Sequence, residues 1–255
     1  MAADHVTQRL RRGPGALPLV LGHRGARYAA PENTHAAFAR AWALGADAIE
    51  LDLQLTADGH VVVFHDRTLA KVGHGRRTLG ECTWAELRDL DVGSWKARRF
   101  RDERVPTLAQ VIERWGPHLR LALELKAEPR MSAARRARLV DATLAQIGRG
   151  ADVFMLSFDA DLLARVARRR PDLRRVLDVD REIAPRALAR VLAHVDVLCP
   201  PARLVSGRLG EAVRARDRAL WVYRCDSRDA LLRARRAGAA ALICDDPQVV
   251  RERLA

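Results

Sequence analysis

The chain has 255 residues, 49% of them hydrophobic and 30% charged, which is enough apolar material for a sizeable core and too much for a disordered polypeptide. Its four cysteines (Cys82, Cys199, Cys225, Cys244) stand singly, which excludes a disulfide-stapled scaffold, and no apolar run approaches the roughly 20 residues that span a bilayer. The net charge of +13 would suit phosphorylated substrates, nucleic acid or an anionic membrane. All but three of the 45 basic residues are arginines, however, and they are dispersed through alanine-rich stretches with few aromatics, which weighs against a nucleic-acid surface.

In chain order, a first strand is expected over Leu19–Gly22, running into Gly22-His23-Arg24-Gly25, where the flanking glycines allow close backbone approach of a ligand. Pro31-Glu32-Asn33-Thr34 opens a helix over 33–44, with Asn33 or Thr34 as its cap. The second strand, Ala48–Gln54, alternates Ile49, Leu51 and Leu53 on one face with Glu50 and Asp52 on the other. Asp58-Gly59 is a hairpin turn signal, and Val61–His65 reads as a returning antiparallel strand that places His65 roughly opposite Glu50. Residues 66–105 form a long glycine-containing excursion, expected to be a small inserted subdomain. A helix over 107–116, with Thr107 as cap, then leads to Arg120–Lys126, where Leu121, Leu123 and Leu125 alternate with Glu124 and Lys126.

The remaining strands are expected at Val153–Ser157, Arg175–Asp178, Val195–Cys199, Leu220–Cys225 and Ala240–Asp245. Helices fall near 132–148, with Gly148 as its stop, and near 159–169, 184–193, 206–217, 227–237 and 247–253. Eight strand–helix units predict an α/β chain of one domain over 1–255: a TIM (β/α)8 barrel with a β-hairpin extension and the insertion after strand 2. A doubly wound sheet is the competing architecture, but no G-x-G-x-x-G follows the first strand. A reducing, cytoplasmic setting fits the lone cysteines and the missing signal-peptide pattern.

In a barrel the outer face packs on helices, so Glu50, Asp52 and Glu124 must project inward near the strand ends. Three carboxylates at one depth either hold a hard divalent cation, Mg²⁺ or Ca²⁺, or are neutralised by Lys126 and barrel arginines. Reversed polarity on two neighbouring strands favours the ion. His23 and His65 converge on the acids as a candidate acid–base pair, and Arg24 and Lys126 are candidate phosphate ligands. His5, His35, His60, His74, His118 and His194 are read as surface or packing residues.

These residues together resemble the glycerophosphodiester phosphodiesterase family. The likeness is carried by His23-Arg24-Gly25, Pro31-Glu32-Asn33-Thr34, Glu50-Leu51-Asp52, Thr56-Ala57-Asp58-Gly59, Val63-Phe64-His65-Asp66, Val105-Pro106-Thr107-Leu108, Glu124-Leu125-Lys126, Ser157-Phe158-Asp159 and Asp245-Asp246-Pro247. It implies a barrel with an insertion after His65-Asp66, a divalent metal on Glu50, Asp52 and Glu124, and His23 and His65 as acid and base. It further implies hydrolysis of a glycerophosphodiester to glycerol 3-phosphate and an alcohol, with Arg24 and Lys126 on the phosphate. Three departures bear on substrate preference: Tyr223 and Asp226 stand where the family has Trp and Asn, and Lys71 where it has Arg. Two other readings remain. One is a lipid phosphodiesterase, with Trp84, Trp95 and Phe100 of the insertion meeting an acyl chain or a membrane; the other is a basic nucleic-acid-binding protein on a vestigial barrel.

Overall fold

The computed structural model describes residues 17–128 and 131–255, so His5 lies outside the described residues. Eight parallel strands close into a barrel: β1 (Leu19–His23), β2 (Ala48–Leu55), β4 (Arg120–Leu125), β5 (Val153–Ser157), β6 (Arg174–Asp178), β7 (Val197–Cys199), β8 (Ala219–Tyr223) and β9 (Ala241–Cys244). Pairing of β1 with both β2 and β9 completes the ring. The ninth strand, β3 (Val61–Val63), runs antiparallel to β2 and forms the anticipated hairpin. The architecture is a TIM barrel with one extra strand.

Helices cover the outside: α1 (His35–Ala43), α3 (Leu108–Trp115), α4 (Ala133–Leu144), α5 (Ala160–Arg169), α6 (Pro185–Leu192), α7 (Gly207–Arg214), α8 (Arg228–Arg236) and α9 (Pro247–Leu254). Short polar side chains start most of them. Thr34 accepts from the Ala37 amide, which settles the α1 cap in favour of Thr34 over Asn33, and Thr107 forms a reciprocal capping box with Gln110. Helix α4 is shorter than its apolar stripe implies. It ends at Leu144 with Ala145 as cap, and the Ile147 amide bonds back only three residues to Leu144, a tighter turn that still buries Ile147 without needing Gly148.

The two faces of the strands separate two apolar layers. Ile49, Leu51, Leu53, Leu121, Leu123 and Leu125 face outward into the layer shared with the helices. Inside the barrel, Ala48, Ala122 and Ala241 make room for Trp221 and Phe154, whose rings meet edge to face at 4.8 Å between centroids. This plug fills the lower barrel only. Above it the inward positions become Glu50, Asp52, Gln54, Glu124 and Asp178, all buried.

The excursion holds 3₁₀ turns and a short helix, α2 (Trp84–Leu87), over its own apolar cluster of Val62, Phe64, Leu69, Leu79, Cys82, Leu87, Val92 and Val105. Trp84 packs against that cluster, whereas Trp95 is 39% exposed with the Lys71 ammonium 4.4 Å above its ring.

The turn after β1 is held by a glycine that nothing else can replace. Gly25 has φ +81°, and a Cβ there would lie 2.6 Å from the Ala37 carbonyl carbon in the backbone of α1. Gly25→Ala is therefore expected to destabilise the protein by about 2–5 kcal/mol, combining left-handed strain with overpacking. Gly150→Ala is the control. Its φ of +79° is similar but nothing lies within 4 Å, so only the roughly 1–2 kcal/mol left-handed penalty should appear in calorimetry.

Candidate active site

At the C-terminal mouth of the barrel, β2 and β4 run in register with Asp52 beside Glu124, and β1 brings His23 alongside Glu50. Glu50, Asp52 and Glu124 each offer an oxygen, all within 4.8 Å of one another. The three acids read from the sequence are thus brought together. Two cations penetrate the cluster. Lys126 Nζ lies 2.9 Å from Glu124 and 3.3 Å from Asp52, and Arg24 Nε lies 3.1 Å from Asp52.

Neutralisation is uneven. Burial opposes ionisation of Asp52, but Lys126 and Arg24 overcome it and hold that carboxyl well below its usual range. Glu50 has only the Arg24 backbone N–H at 3.0 Å, and burial together with Asp52 and Glu124 pushes its carboxyl well up. Glu124 is pushed up to about 8 by burial and by Asp52, with which it shares the one lysine. Lys126 itself is held charged because the two acids outweigh its burial. The cluster therefore lacks positive charge. Among the described residues Asp52 Oδ1 makes no hydrogen bond and has only the Lys126 ammonium at 3.3 Å, so both the charge deficit and this under-satisfied oxygen fit a divalent cation on these acids.

Both histidines reach the mouth, each tied to an aspartate. His23 ends β1 as expected, and its Nδ1 lies 2.6 Å from Asp245 at the end of β9. His65 does not lie in a strand. β3 stops at Val63 because the Phe64, His65 and Asp66 carbonyls turn to the buried Gln54 side chain, whose Nε2 donates to them at 2.8–3.2 Å. His65 is thus displayed on a clamped turn beyond the ladder, with Nδ1 2.6 Å from its neighbour Asp66 and its ring in the field of Asp52. An Nδ1–H given to a carboxylate leaves Nε2 as the working nitrogen of each ring. Burial lowers both imidazoles below their ordinary value, only partly countered at His23 by Asp245 and at His65 by Asp52.

Pro31-Glu32-Asn33-Thr34, read from sequence only as a helix start, also serves the site. Asn33 adopts φ +58°, and its side-chain amide donates to Asp52 Oδ2 at 2.7 Å while its carbonyl oxygen accepts from the Asp52 amide at 3.3 Å. Glu32 draws together Lys71 at 2.7 Å, Arg24 at 2.9 Å and Arg27 at 3.3 Å. Lys71 thereby ties the insertion to the first loop. The signal for Asn33 was its tolerance of left-handed backbone directly before a capping threonine.

Two of the departures prove conservative in structure. Asp226 Oδ1 accepts from the Asp245 amide at 2.6 Å, a bond that an asparagine oxygen would make equally well. The Tyr223 hydroxyl donates to the Val179 carbonyl at 2.8 Å, pinning the loop after β6. Asp178 is a further buried acid at the mouth and was not anticipated; burial pushes its carboxyl up to about 7.

A TIM barrel whose mouth combines clustered acids, two cations and two carboxylate-oriented imidazoles has the groups that acid–base and metal-assisted chemistry on an anionic ligand would use. Comparison with known proteins narrows this: the sequence profile of the glycerophosphoryl diester phosphodiesterase family matches residues 23–249, and the chain belongs to that family. The chain is 50% identical over 95 residues to a glycerophosphodiester phosphodiesterase of Caldanaerobacter subterraneus subsp. tengcongensis, covering 37% of this chain and 39% of that protein. It is 31% identical over 171 residues to the Bacillus subtilis (strain 168) glycerophosphodiester phosphodiesterase, covering 61% of this chain and 57% of the relative. The chain thus spans about two fifths to three fifths of the length of these curated relatives. Among solved structures, an Oleispira antarctica phosphodiesterase in complex with the product sn-glycerol-3-phosphate superposes with a TM-score of 0.85 at 25% identity, covering 93% of this chain and 97% of that one. A glycerophosphodiester phosphodiesterase from Agrobacterium tumefaciens str. C58 gives 0.75 at 25% identity, covering 92% and 100%. No helix among the described residues is long and apolar enough to cross a membrane.

Proposed function

We propose that this protein hydrolyses glycerophosphodiesters to glycerol 3-phosphate and an alcohol. One observation carries the reading: three buried acids within 4.8 Å of one another lie beside two imidazoles, each with its Nδ1 committed to an aspartate at 2.6 Å. Family membership and the product complex of the Oleispira antarctica relative support it. Glu50, Asp52 and Glu124 would hold a hard divalent ion, Mg²⁺ or Ca²⁺, which when bound supplies Lewis-acid stabilisation of a phosphate oxygen.

The chain's own residues supply the proton traffic. His23 Nε2 takes the proton from the glyceryl hydroxyl next to the phosphoester, whose oxygen attacks phosphorus. His65 Nε2 gives a proton to the departing alcohol, leaving a cyclic phosphate. Water then opens the ring with the two roles exchanged, so each imidazole ends as it began. The first attack is intramolecular and needs little additional ordering. Lys126, and Arg24 through its positive field, offset the charge that grows on the phosphoryl oxygens.

Incubation with glycerophosphocholine and Mg²⁺ or Ca²⁺ should release glycerol 3-phosphate; no release with either ion rejects the proposal. Because burial lowers His23, the base loses its proton below pH 6.5, and the rising limb of kcat/KM should have its midpoint below that value. A midpoint above 6.5 would exclude a buried imidazole as base. Parallel assays with lysophosphatidylcholine test the lipid reading, for which the semi-exposed Trp95 is the supporting feature.

A further inference from the structure

Strand β6 ends on Asp178, two positions after Val176, whose side chain lies in the inner layer of the barrel. Alternation puts both on the same face, so Asp178 points into the mouth above the apolar plug. The residue is 4% exposed, and its Oδ2 is buried without any hydrogen-bond partner among the described residues. Its register partner on β7 is Cys199. No cation reaches ion-pair distance of it among the described residues, since Lys126 is engaged by Asp52 and Glu124. A buried acceptor without a protein partner is costly, and such an atom at the barrel mouth points to a group that arrives with the ligand.

The chemistry of that group is constrained. While the carboxyl is ionised, that group must donate a hydrogen bond, which an unprotonated phosphate oxygen cannot do. A second divalent ion would find one carboxyl and one thiol here, with the Lys126 ammonium within electrostatic range, a poorer set than the neighbouring acids. A neutral hydroxyl satisfies Oδ2 without bringing charge. Asp178 ends β6, two strands round the barrel from β4 with its Glu124, and lies close enough to feel Glu124, Lys126 and Asp52 electrostatically.

We infer that Asp178 is a specificity-determining residue whose unpartnered oxygen accepts a hydrogen bond from a hydroxyl of the substrate's glyceryl group. The inference rests on the glycerophosphodiester reading above and adds the contact by which the enzyme tells a polyol ester from a plain alkyl ester. An alkyl group in the same place would leave the buried oxygen unsatisfied, so discrimination should come from rejection of the wrong ligand as much as from attraction of the right one.

The test compares sn-glycerol 3-phosphate with n-propyl phosphate, which differ only by the two hydroxyls, by calorimetric titration of the Mg²⁺-loaded protein. For the unaltered protein the glycerol ester should bind more tightly. Asp178→Leu should shrink that preference by about 10- to 10²-fold, the scale of a hydrogen bond to a charged group, with propyl phosphate binding unchanged. Asp178→Asn, which keeps an acceptor oxygen of the same reach, should retain much of the preference and stands in should the leucine variant fail to fold, its preference then compared with that of Asp178→Ala. An unaltered ratio in the leucine or alanine variant overturns the inference. So does equal weakening of both ligands, which would show that Asp178 acts on the phosphate through Lys126. Glycerophosphocholine turnover by the unaltered protein is measured alongside. Turnover with an unchanged ratio defeats the Asp178 contact alone, and a collapsing ratio without turnover defeats the proposed reaction alone.

Discussion

Alanine at His23, or at His65, is expected to cut the rate of glycerophosphocholine hydrolysis by about 10²- to 10⁴-fold, the range for loss of one general acid or base. The loss should fall on kcat more than on KM, because the proposed mechanism uses both imidazoles for proton transfer and leaves phosphate binding to Lys126. Combining both changes should cost little more than the worse single one, since the two rings serve one proton circuit and such effects are far from additive. Steady-state release of glycerol 3-phosphate gives the rates, and a melting curve confirms that each variant is folded. A variant lacking both rings that retains most of its activity would remove acid–base catalysis by these residues from consideration.

Asp52→Asn, or chelation of the protein, is expected to lower the rate by roughly 10³-fold or more, since a Lewis acid supplies several kcal/mol of transition-state stabilisation. A signature separate from activity follows from the acids themselves. Glu124 holds its proton up to about pH 8 in the fold but only to its ordinary value of 4.5 when unfolded. Between those values the unfolded chain is the more ionised form, so the ion-free protein loses stability as pH rises across that window. Glu50 acts in the same direction. Asp52 is the opposite case: its folded carboxyl is held down, and its contribution is lost only on acidification below the normal carboxylate range. Chelated protein should therefore melt at a lower temperature at pH 8 than at pH 5, added Mg²⁺ or Ca²⁺ should reverse the loss, and Glu124→Gln should flatten the dependence. A melting temperature indifferent to both pH and ion would argue against a cation on these carboxylates.

The barrel was legible because its code is local. Leucines alternating with Glu50 and Asp52 on one strand, and with Glu124 and Lys126 on another, specify which face is inward without knowledge of any partner. The same alternation put all four on the inward face, and the β2–β4 register bears out a common depth for Asp52 and Glu124, with Glu50 one inward position below them and Lys126 one above. What escaped depends on closure. Asp245 meets His23 across 222 positions of chain, and neither neighbourhood announces the other. The end of β3 was misplaced because Val61–His65 has strand composition throughout, whereas the Gln54 side chain, on the other arm of the hairpin, takes the carbonyls that would otherwise extend the ladder. Asp178 was passed over because a single acid closing a short apolar run looks like any strand terminus. Only its inward face and its unsatisfied oxygen distinguish it.

The seam between the first and last strands has a bearing on biosynthesis. Anchoring of the His23 ring by Asp245 waits on a carboxylate translated 222 codons later, so a nascent chain carries all three acids of the cluster before that anchor exists. The anchored ring would then arrive only once β9 has paired with β1, in one event rather than by degrees, and a product terminated before β9 would lack the carboxylate that orients the proposed base even where its early strands had paired.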